Sequence, residues 1–322
     1  MKLHTSLLAA LLAAASPHVH AQAQNYPNQP VRIIVPFAPG GGNDIVARIV
    51  AEQIHQTFGQ TGVVDNRAGA GSTIGTEIAA KAAPNGYTLL VTHNAIAINE
   101  TLYPKLPYDA ERDFAQIMLV GTTTNTLVVH PSVAARSTKE LIALAKSKPG
   151  ALNYASTGAG GTSHLAMEYF KLSTGTNLTH IPYKGTGPAL IDVAGGQLQV
   201  MISALPGTIS FIKGKRVIAL ATTGAKRSVF LPDLPTLNEA GVPGYEFDTW
   251  YGLHTQAKVP KDIVAKLNDA LNKALKGQAK DILFKAGLEA NGGSPEAFRK
   301  YMVSEIQKMG KIIKASGAKP EV

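Results

Sequence analysis

The sequence predicts an α/β protein with largely parallel sheets, divided between two domains. Three observations carry that expectation. Short apolar strand-like runs alternate with helical patterns along most of the chain. The 322 residues exceed what a single core usually organises. Three times, a strand-like run enters a glycine-rich loop that opens a helix, and α/β folds place ligands at such strand ends.

The elements follow in order. Val31 to Val35 is a short apolar strand. Asp44 to Phe58 reads as a helix with Ile45, Ile49 and Val50 on one face, stopped by Gly59. Gly62 to Asp65 is strand-like and Thr76 to Ala83 helical. Pro84-Asn85-Gly86 turns the chain into a strand at Tyr87 to Thr92. Leu127 to Val129 is a strand and Ser137 to Ser147 a helix. Strands at Asn153 to Ser156, Leu178 to Ile181, Leu198 to Ile202 and Val217 to Ala221 continue the series, with helices between them. After the break at Gly241-Val242-Pro243-Gly244 the pattern becomes purely helical. Lys261 to Lys276, Gln278 to Ala286 and Pro295 to Ala315 are amphipathic, as the spacing of Leu267, Leu271 and Leu275 illustrates.

The first residues predict export. Lys2 precedes an apolar stretch from Leu7 to Ala15, too short to span a bilayer, and small residues offer cleavage after Ala21 or Ala23. Residues 1–23 are therefore expected to be a signal peptide. The chain has no cysteine, which excludes thiolate metal sites, cysteine nucleophiles and a lipidated cysteine anchor. A free, unanchored exported protein is expected in a Gram-negative periplasm. The formal charge of +9 is scattered over helical faces rather than gathered in a block, so no nucleic-acid surface is expected.

The glycine loops carry the chemistry. The first is Phe37-Ala38-Pro39-Gly40-Gly41-Gly42-Asn43-Asp44, with Asn43 suited to an N-cap and Asp44 to a first helical turn. The second runs Ser156-Thr157-Gly158-Ala159-Gly160-Gly161-Thr162-Ser163, where Thr162 or Ser163 could cap the helix. The third is Asn66-Arg67-Ala68-Gly69-Ala70-Gly71-Ser72. Glycine lets backbone approach a ligand, and unpaired N–H groups at a helix start favour an anion. Two such loops facing one cleft from different domains would clamp a small anion.

Enzyme readings find little support. Gly69-Ala70-Gly71 with Gly75 suggests a dinucleotide turn, but Thr92-His93-Asn94 supplies no acid where the ribose partner belongs. No Gly-x-Ser-x-Gly elbow occurs. Ser163 and His164 are neighbours, which point to different helix faces, and His93, His164 and His180 lack metal-ligand spacing.

The chain resembles the tripartite tricarboxylate transporter substrate-binding proteins, the Bug family, from Tyr26 to about Glu321. The resemblance rests on Tyr26-Pro27, Pro30-Val31-Arg32-Ile33-Ile34-Val35-Pro36-Phe37 and Pro39-Gly40-Gly41. It continues through the third glycine loop, Pro84-Asn85-Gly86-Tyr87, Leu102-Tyr103-Pro104, His130-Pro131-Ser132, Pro182-Tyr183-Lys184-Gly185 and Leu231-Pro232-Asp233. It implies a two-domain type II periplasmic binding protein fold, with a hinge of two crossovers near Gly121 to Asn125 and Tyr245 to Trp250. The implied layout is 24–122 for the first part of domain 1, 123–245 for domain 2 and 246–322 for the rest of domain 1. It also implies a small carboxylate held by Ala38 to Asp44 and Ser156 to Ser163, with Lys184 as a further charge and no cofactor or metal. Asn43 and His93-Asn94 depart from the family's usual Thr/Ser and Ser/Thr/Gly residues. With Ser203 they are expected to meet the ligand's distal part, and Ser72 is a further expected ligand contact. The implied partners are a large and a small integral membrane subunit or, alternatively, a sensor kinase, with the receptor itself a monomer.

Overall fold

The computed structural model describes residues 25–320. The expected signal peptide lies outside the described residues. One sheet holds six strands: Val31–Val35 (β1), Gly62–Asn66 (β2), Thr88–His93 (β3), Phe114–Thr123 (β4), Thr249–Gln256 (β10) and Glu289–Ala290 (β11). Their order is β11-β4-β10-β3-β1-β2. The other holds Asn125–Val129 (β5), Asn153–Ser156 (β6), Thr179–Pro182 (β7), Val200–Ala204 (β8) and Ile218–Thr222 (β9), in the order β7-β6-β8-β5-β9.

The expectation of largely parallel sheets needs correcting. The pairs β1–β2, β1–β3, β6–β7 and β6–β8 are parallel, but β3–β10, β4–β10, β4–β11, β5–β8 and β5–β9 are antiparallel. Parallel pairs arise where a crossover helix returns the chain to the same edge. Strands that enter from the other domain have no such helix. β5 continues from β4 after a single residue, and β10 returns from the second sheet, so both insert against their neighbours' direction.

Ten helices flank the sheets within the described residues. They are Gly42–Phe58 (α1), Thr73–Ala80 (α2), Ala95–Leu102 (α3), Thr138–Ser147 (α4) and Thr162–Thr174 (α5), then Thr186–Ala194 (α6), Leu205–Lys213 (α7), Lys261–Ala274 (α8), Gln278–Lys285 (α9) and Pro295–Ser316 (α10). α2 starts three residues before its expected position. The sequence pattern carries no signal for α3, β4 or β10. α3 is short and buried nearly all round, so it shows no amphipathic period. β4 and β10 lack the glycine or proline punctuation that marks strand ends.

β1 is buried on both faces apart from Arg32, which is half-buried and pairs with Asp65 of β2, as a mostly apolar strand should be. Ile33 and Val35 pack with Val46 and Val50 of α1 and Leu267 and Leu271 of α8. Ile34 faces the opposite way, into a core that includes Ile98 of α3 and Met302 and Met309 of α10. The same core continues to Leu165 and Phe170 of α5, so α10 braces both domains. Among the described residues no helix is long and apolar enough to cross a membrane.

The hinge is stitched by side chains. Thr249 Oγ1 donates to Asn125 Oδ1 at 2.6 Å, and Asn125 Nδ2 donates to the Phe247 carbonyl. The two crossings between sheets are thereby tied to each other.

Candidate functional site

The strands β1, β6 and β7 each run into a loop and then a helix, β8 passes directly into α7, and the starts of α1, α5, α6 and α7 meet between the two sheets. A cavity of about 20 Å³ lies at the meeting point. Gly41, Gly42 and Asn43 reach it from α1, Thr162 and Ser163 from α5, Thr186 from α6, and Ser203 and Ala204 from the β8–α7 junction. None of these four helices has a side-chain N-cap. Side-chain caps occur on α4, from Ser137, and on α10, from Ser294, while α2, α3, α8 and α9 also lack them, so it is the convergence of the four starts rather than the missing caps that sets them apart. The expected caps are thus corrected: Gly41 and Gly161 occupy the N-cap positions, while Asn43, Thr162 and Ser163 lie inside the first turns. A glycine cap leaves the first-turn N–H groups to whatever enters the cavity, and the helix dipoles favour an anion there.

The structure is closed, with the loops of the two domains in contact. Ala38 N–H donates to the Lys184 carbonyl at 2.9 Å. Tyr103 OH donates to the Ala159 carbonyl at 3.0 Å. Glycine is required at two close approaches, one between the domains and one within the six-stranded side. A Cβ on Gly71, at φ +58°, would stand 1.7 Å from Ala159 O, and a Cβ on Gly42 would stand 1.9 Å from the Tyr251 hydroxyl.

His93 closes the small cavity beside Phe37, whose ring centroid is 4.6 Å away. Burial holds its pKa down to about 3, so the ring is neutral. Ala95 N–H donates to Nδ1 at 3.1 Å, which places the ring proton on Nε2. Thr162 Oγ1 is 3.1 Å from the same Nδ1. That contact resembles a hydroxyl–base pair, but the Nδ1 lone pair is already engaged and its basicity suppressed, so the ring is a poor general base.

Hydroxyl directions follow from the hydrogen bonds on the second loop. Thr157 N–H donates to Ser163 Oγ at 2.7 Å, and Ser163 Oγ–H donates to Thr157 Oγ1 at 2.9 Å. The remaining proton on Thr157 Oγ1 is left to donate elsewhere. Ser203 Oγ and Asn43 Oδ1 are buried without a hydrogen-bond partner.

A second cavity, of about 290 Å³, shares Phe37 and Thr157 with the first. Ser72, Gly158 and Lys184 line it, together with Tyr103 and Tyr183. Lys184 is exposed. Tyr183 OH donates to Asp192, so its ring rather than its hydroxyl is free to form a wall.

Several expected site residues sit elsewhere. Pro39 and Gly40 are exposed at the rim against Gly187. Asp44 accepts from Gly40 N–H and from Arg48, which stabilises the loop from below. Ser156 Oγ accepts from Gly158 N–H and bonds His180 Nε2, away from both cavities. Gly160 packs on Asn99, where a Cβ would be 2.2 Å from Oδ1, and Gly161 packs on Thr157. Asn94 belongs to the hinge: its amide donates to the Asp248 carbonyl and Glu305, and its Oδ1 accepts from Trp250 N–H. Asn94→Ala is therefore expected to lower stability by about 2 kcal/mol through unpaired buried groups and to leave the ranking among ligands unchanged. Denaturant unfolding and calorimetry on the variant check both halves. A changed ranking would return Asn94 to the ligand.

Thr186, Thr249 and Tyr251 reach the small cavity without having been expected there. Lys184-Gly185-Thr186-Gly187 is itself a strand-to-helix glycine turn, so Thr186 carried a readable signal. Thr249 and Tyr251 lie on β10, whose position depends on the returning crossover.

The family model for the tripartite tricarboxylate transporter family receptor matches residues 46–318. Protein BugT of Bordetella pertussis is 35% identical over 321 residues, which is 98% of this chain and 98% of that protein. The structure of R. palustris Rpa4515 with adipate superposes with a TM-score of 0.90 at 34% identity, covering 92% of this chain and 100% of that one. MatC from Rhodopseudomonas palustris with bound malate gives 0.86 at 30% identity, covering 89% and 100%.

Proposed function

The chain belongs to the tripartite tricarboxylate transporter receptor family, and from that premise we propose that it captures a small carboxylate in the periplasm and delivers it to a membrane carrier with a large and a small integral subunit. One observation supports this reading above the others: four helix starts without side-chain caps converge on one cavity. Such a site holds an anion by backbone N–H groups and hydroxyls, without a buried cation. The small cavity accommodates about one or two water-sized groups, which suits a carboxylate head. The body of the ligand would then extend past Phe37 and Thr157 into the larger cavity. Relatives bind carboxylates of different length, adipate in one and malate in another.

The layout that goes with this function has domain 1 at 24–122 and 246–322 and domain 2 at 123–245. The sheet membership of β4, β5 and β10 supports it. Closure about Asn125 and Thr249 would trap the ligand, and the closed form would dock on the carrier.

The test is thermal denaturation of the mature protein against a panel of mono-, di- and tricarboxylates. A ligand at 100 times its dissociation constant adds about 2.7 kcal/mol to stability. No shift with any acid would refute the carboxylate reading. With the binding acid in hand, Lys184→Ala is expected to change affinity by less than about fivefold, because its charge is exposed and screened. Gly42→Ala is expected to cost far more, since its methyl would collide with the Tyr251 hydroxyl at the cavity wall. Calorimetry that ranked the two variants in reverse order would replace the backbone clamp by a salt bridge.

A further inference from the structure

The second glycine loop lines both cavities, with Thr157, Gly158 and Ala159 on the larger and Thr157, Thr162 and Ser163 on the smaller. What holds it lies behind it. Ser156 Oγ accepts from Gly158 N–H at 3.1 Å and bonds His180 Nε2 at 2.5 Å. His164 Nδ1 accepts from Gly160 N–H, a longer contact at 3.4 Å. The two imidazoles stack, with centroids 4.4 Å apart and planes 23° from parallel. Tyr154 also stacks on His180, at 4.9 Å, and its hydroxyl donates to Glu168, which pairs in turn with Lys171. Burial keeps both imidazoles neutral, with His180 held to about 3 and His164 below the usual 6.5, so His164 Nδ1 keeps the lone pair that its bond needs. Ser156, His164 and His180 line neither cavity.

Resting on the carboxylate reading, we infer that His164 and His180 are positioning residues: as one stack they fix Gly158 and Gly160 in the shape that receives the ligand and, through Ala159, the opposite domain. Both glycines have left-handed φ, +106° and +81°, and a loop built on such residues is loose unless its backbone is tied. The second link follows from peptide geometry. Gly160 N–H and the Ala159 carbonyl belong to one trans peptide plane and point in opposite directions. A ring that draws the N–H inward therefore aims the carbonyl outward, where it accepts from Tyr103 OH on the six-stranded side. The loop and its two histidines all belong to the five-stranded side, between β6 and the end of β7, so the stack stays assembled when the domains part.

The first arm of the test needs no ligand. Amide hydrogen exchange in the mature protein, read by nuclear magnetic resonance, is expected to quicken about 3- to 10-fold at Gly158 in Ser156→Ala and at Gly160 in His164→Leu, with the amides of β5 and β8 unchanged. His180→Leu should quicken both glycines. His164→Asn, whose Oδ1 can accept near the position of Nδ1, should restore protection at Gly160. The second arm is calorimetry with adipate and malate. Whichever binds is expected to weaken about 3- to 10-fold in His164→Leu. The same change made in Tyr103→Phe, where the hydroxyl is already gone, should cost less than about twofold. A ring that only filled the core would cost the same in both backgrounds. His180→Leu replaces His164→Leu in both arms should the latter fail to fold.

Unchanged glycine exchange in Ser156→Ala and His164→Leu would overturn the inference. So would exchange that quickens equally across β5 and β8, the mark of general loosening. Equal affinity losses with and without the Tyr103 hydroxyl would overturn the link to closure. Failure of both acids to bind the unsubstituted protein, with no response in the thermal panel, would instead strike the carboxylate reading, and the exchange arm would still decide whether the stack holds the loop.

Discussion

Gly71→Ala is expected to abolish ligand capture while both domains stay folded. Gly71 lies on the third glycine loop, on the six-stranded side, and Ala159 on the loop after β6. In the closed structure an added Cβ would stand 1.7 Å from the Ala159 carbonyl oxygen, a backbone atom that cannot swing aside as a flexible side chain could. In an open form the two loops part and the collision vanishes. The methyl therefore acts on closure far more than on folding, apart from about 1 kcal/mol for placing alanine at φ +58°. Ligand binding draws on the closed state, so its apparent affinity falls in proportion to that state's population. A loss of more than about 100-fold is expected, equivalent to roughly 2.7 kcal/mol of added closure cost. Small-angle scattering should show the unsubstituted protein contracting with its acid and the variant staying expanded, with unchanged circular dichroism. A variant that binds within threefold and contracts normally would show that this contact does not gate the cleft.

Mild acid is expected to destabilise the fold, with His254 as a main cause. Its ring is fully buried on β10 between Phe114 and Phe298, and neither nitrogen has a hydrogen-bond partner. Burial in apolar surroundings pushes its pKa from 6.5 down to about 3. The folded protein thus binds fewer protons here than the unfolded chain between these two values. Stability rises with pH wherever the unfolded state holds more protons, so this contribution is intact above about pH 6.5 and is lost as pH falls toward 3. At pH 5 the loss from one such ring is about 2 kcal/mol. His93, equally buried and also held to about 3, acts in the same direction. Asp248 and Glu305, whose pKa values are raised by burial, act in the opposite direction. Comparing His254→Leu with the unsubstituted protein cancels those shared groups. Denaturant unfolding at pH 7.5 and pH 5 should show a smaller acid loss in the variant by about 2 kcal/mol. It should also show higher stability at both, because two unpaired nitrogens are gone. An identical acid loss in both proteins would mean that this ring does not ionise on unfolding as argued.

Much of this architecture is legible in the chain, and the illegible parts share a cause. β1, α1 and α10 show in the sequence because their patterns answer to local periodicity, four buried apolar residues around Arg32 in one case and a helical stripe in the others. α3 does not show, because burial on nearly every side removes the polar face that marks a helix. β10 does not show either. It exists as a central strand only because the chain returns from the second sheet to pair with β3 and β4. Asn94 read as a ligand residue beside His93, yet adjacent positions on the β3–α3 junction face different partners, and only the packing of Trp250 and Glu305 assigns Asn94 to the hinge.

The sequence by itself determined the glycine loops and their preference for an anion. Left-handed φ at Gly40, Gly71, Gly158 and Gly160, and a helix opening directly behind each loop, are properties of a few consecutive residues. Tertiary structure decided the rest. It chose glycine rather than Asn43 or Thr162 as the cap, because the N-cap position depends on where each strand delivers the chain. It brought four helix starts from separate stretches of the chain onto one cavity. It also left Asn43 Oδ1 and Ser203 Oγ without partners. Whether a buried polar atom is satisfied depends on every group packed around it, and those groups come from distant segments whose meeting no local pattern records.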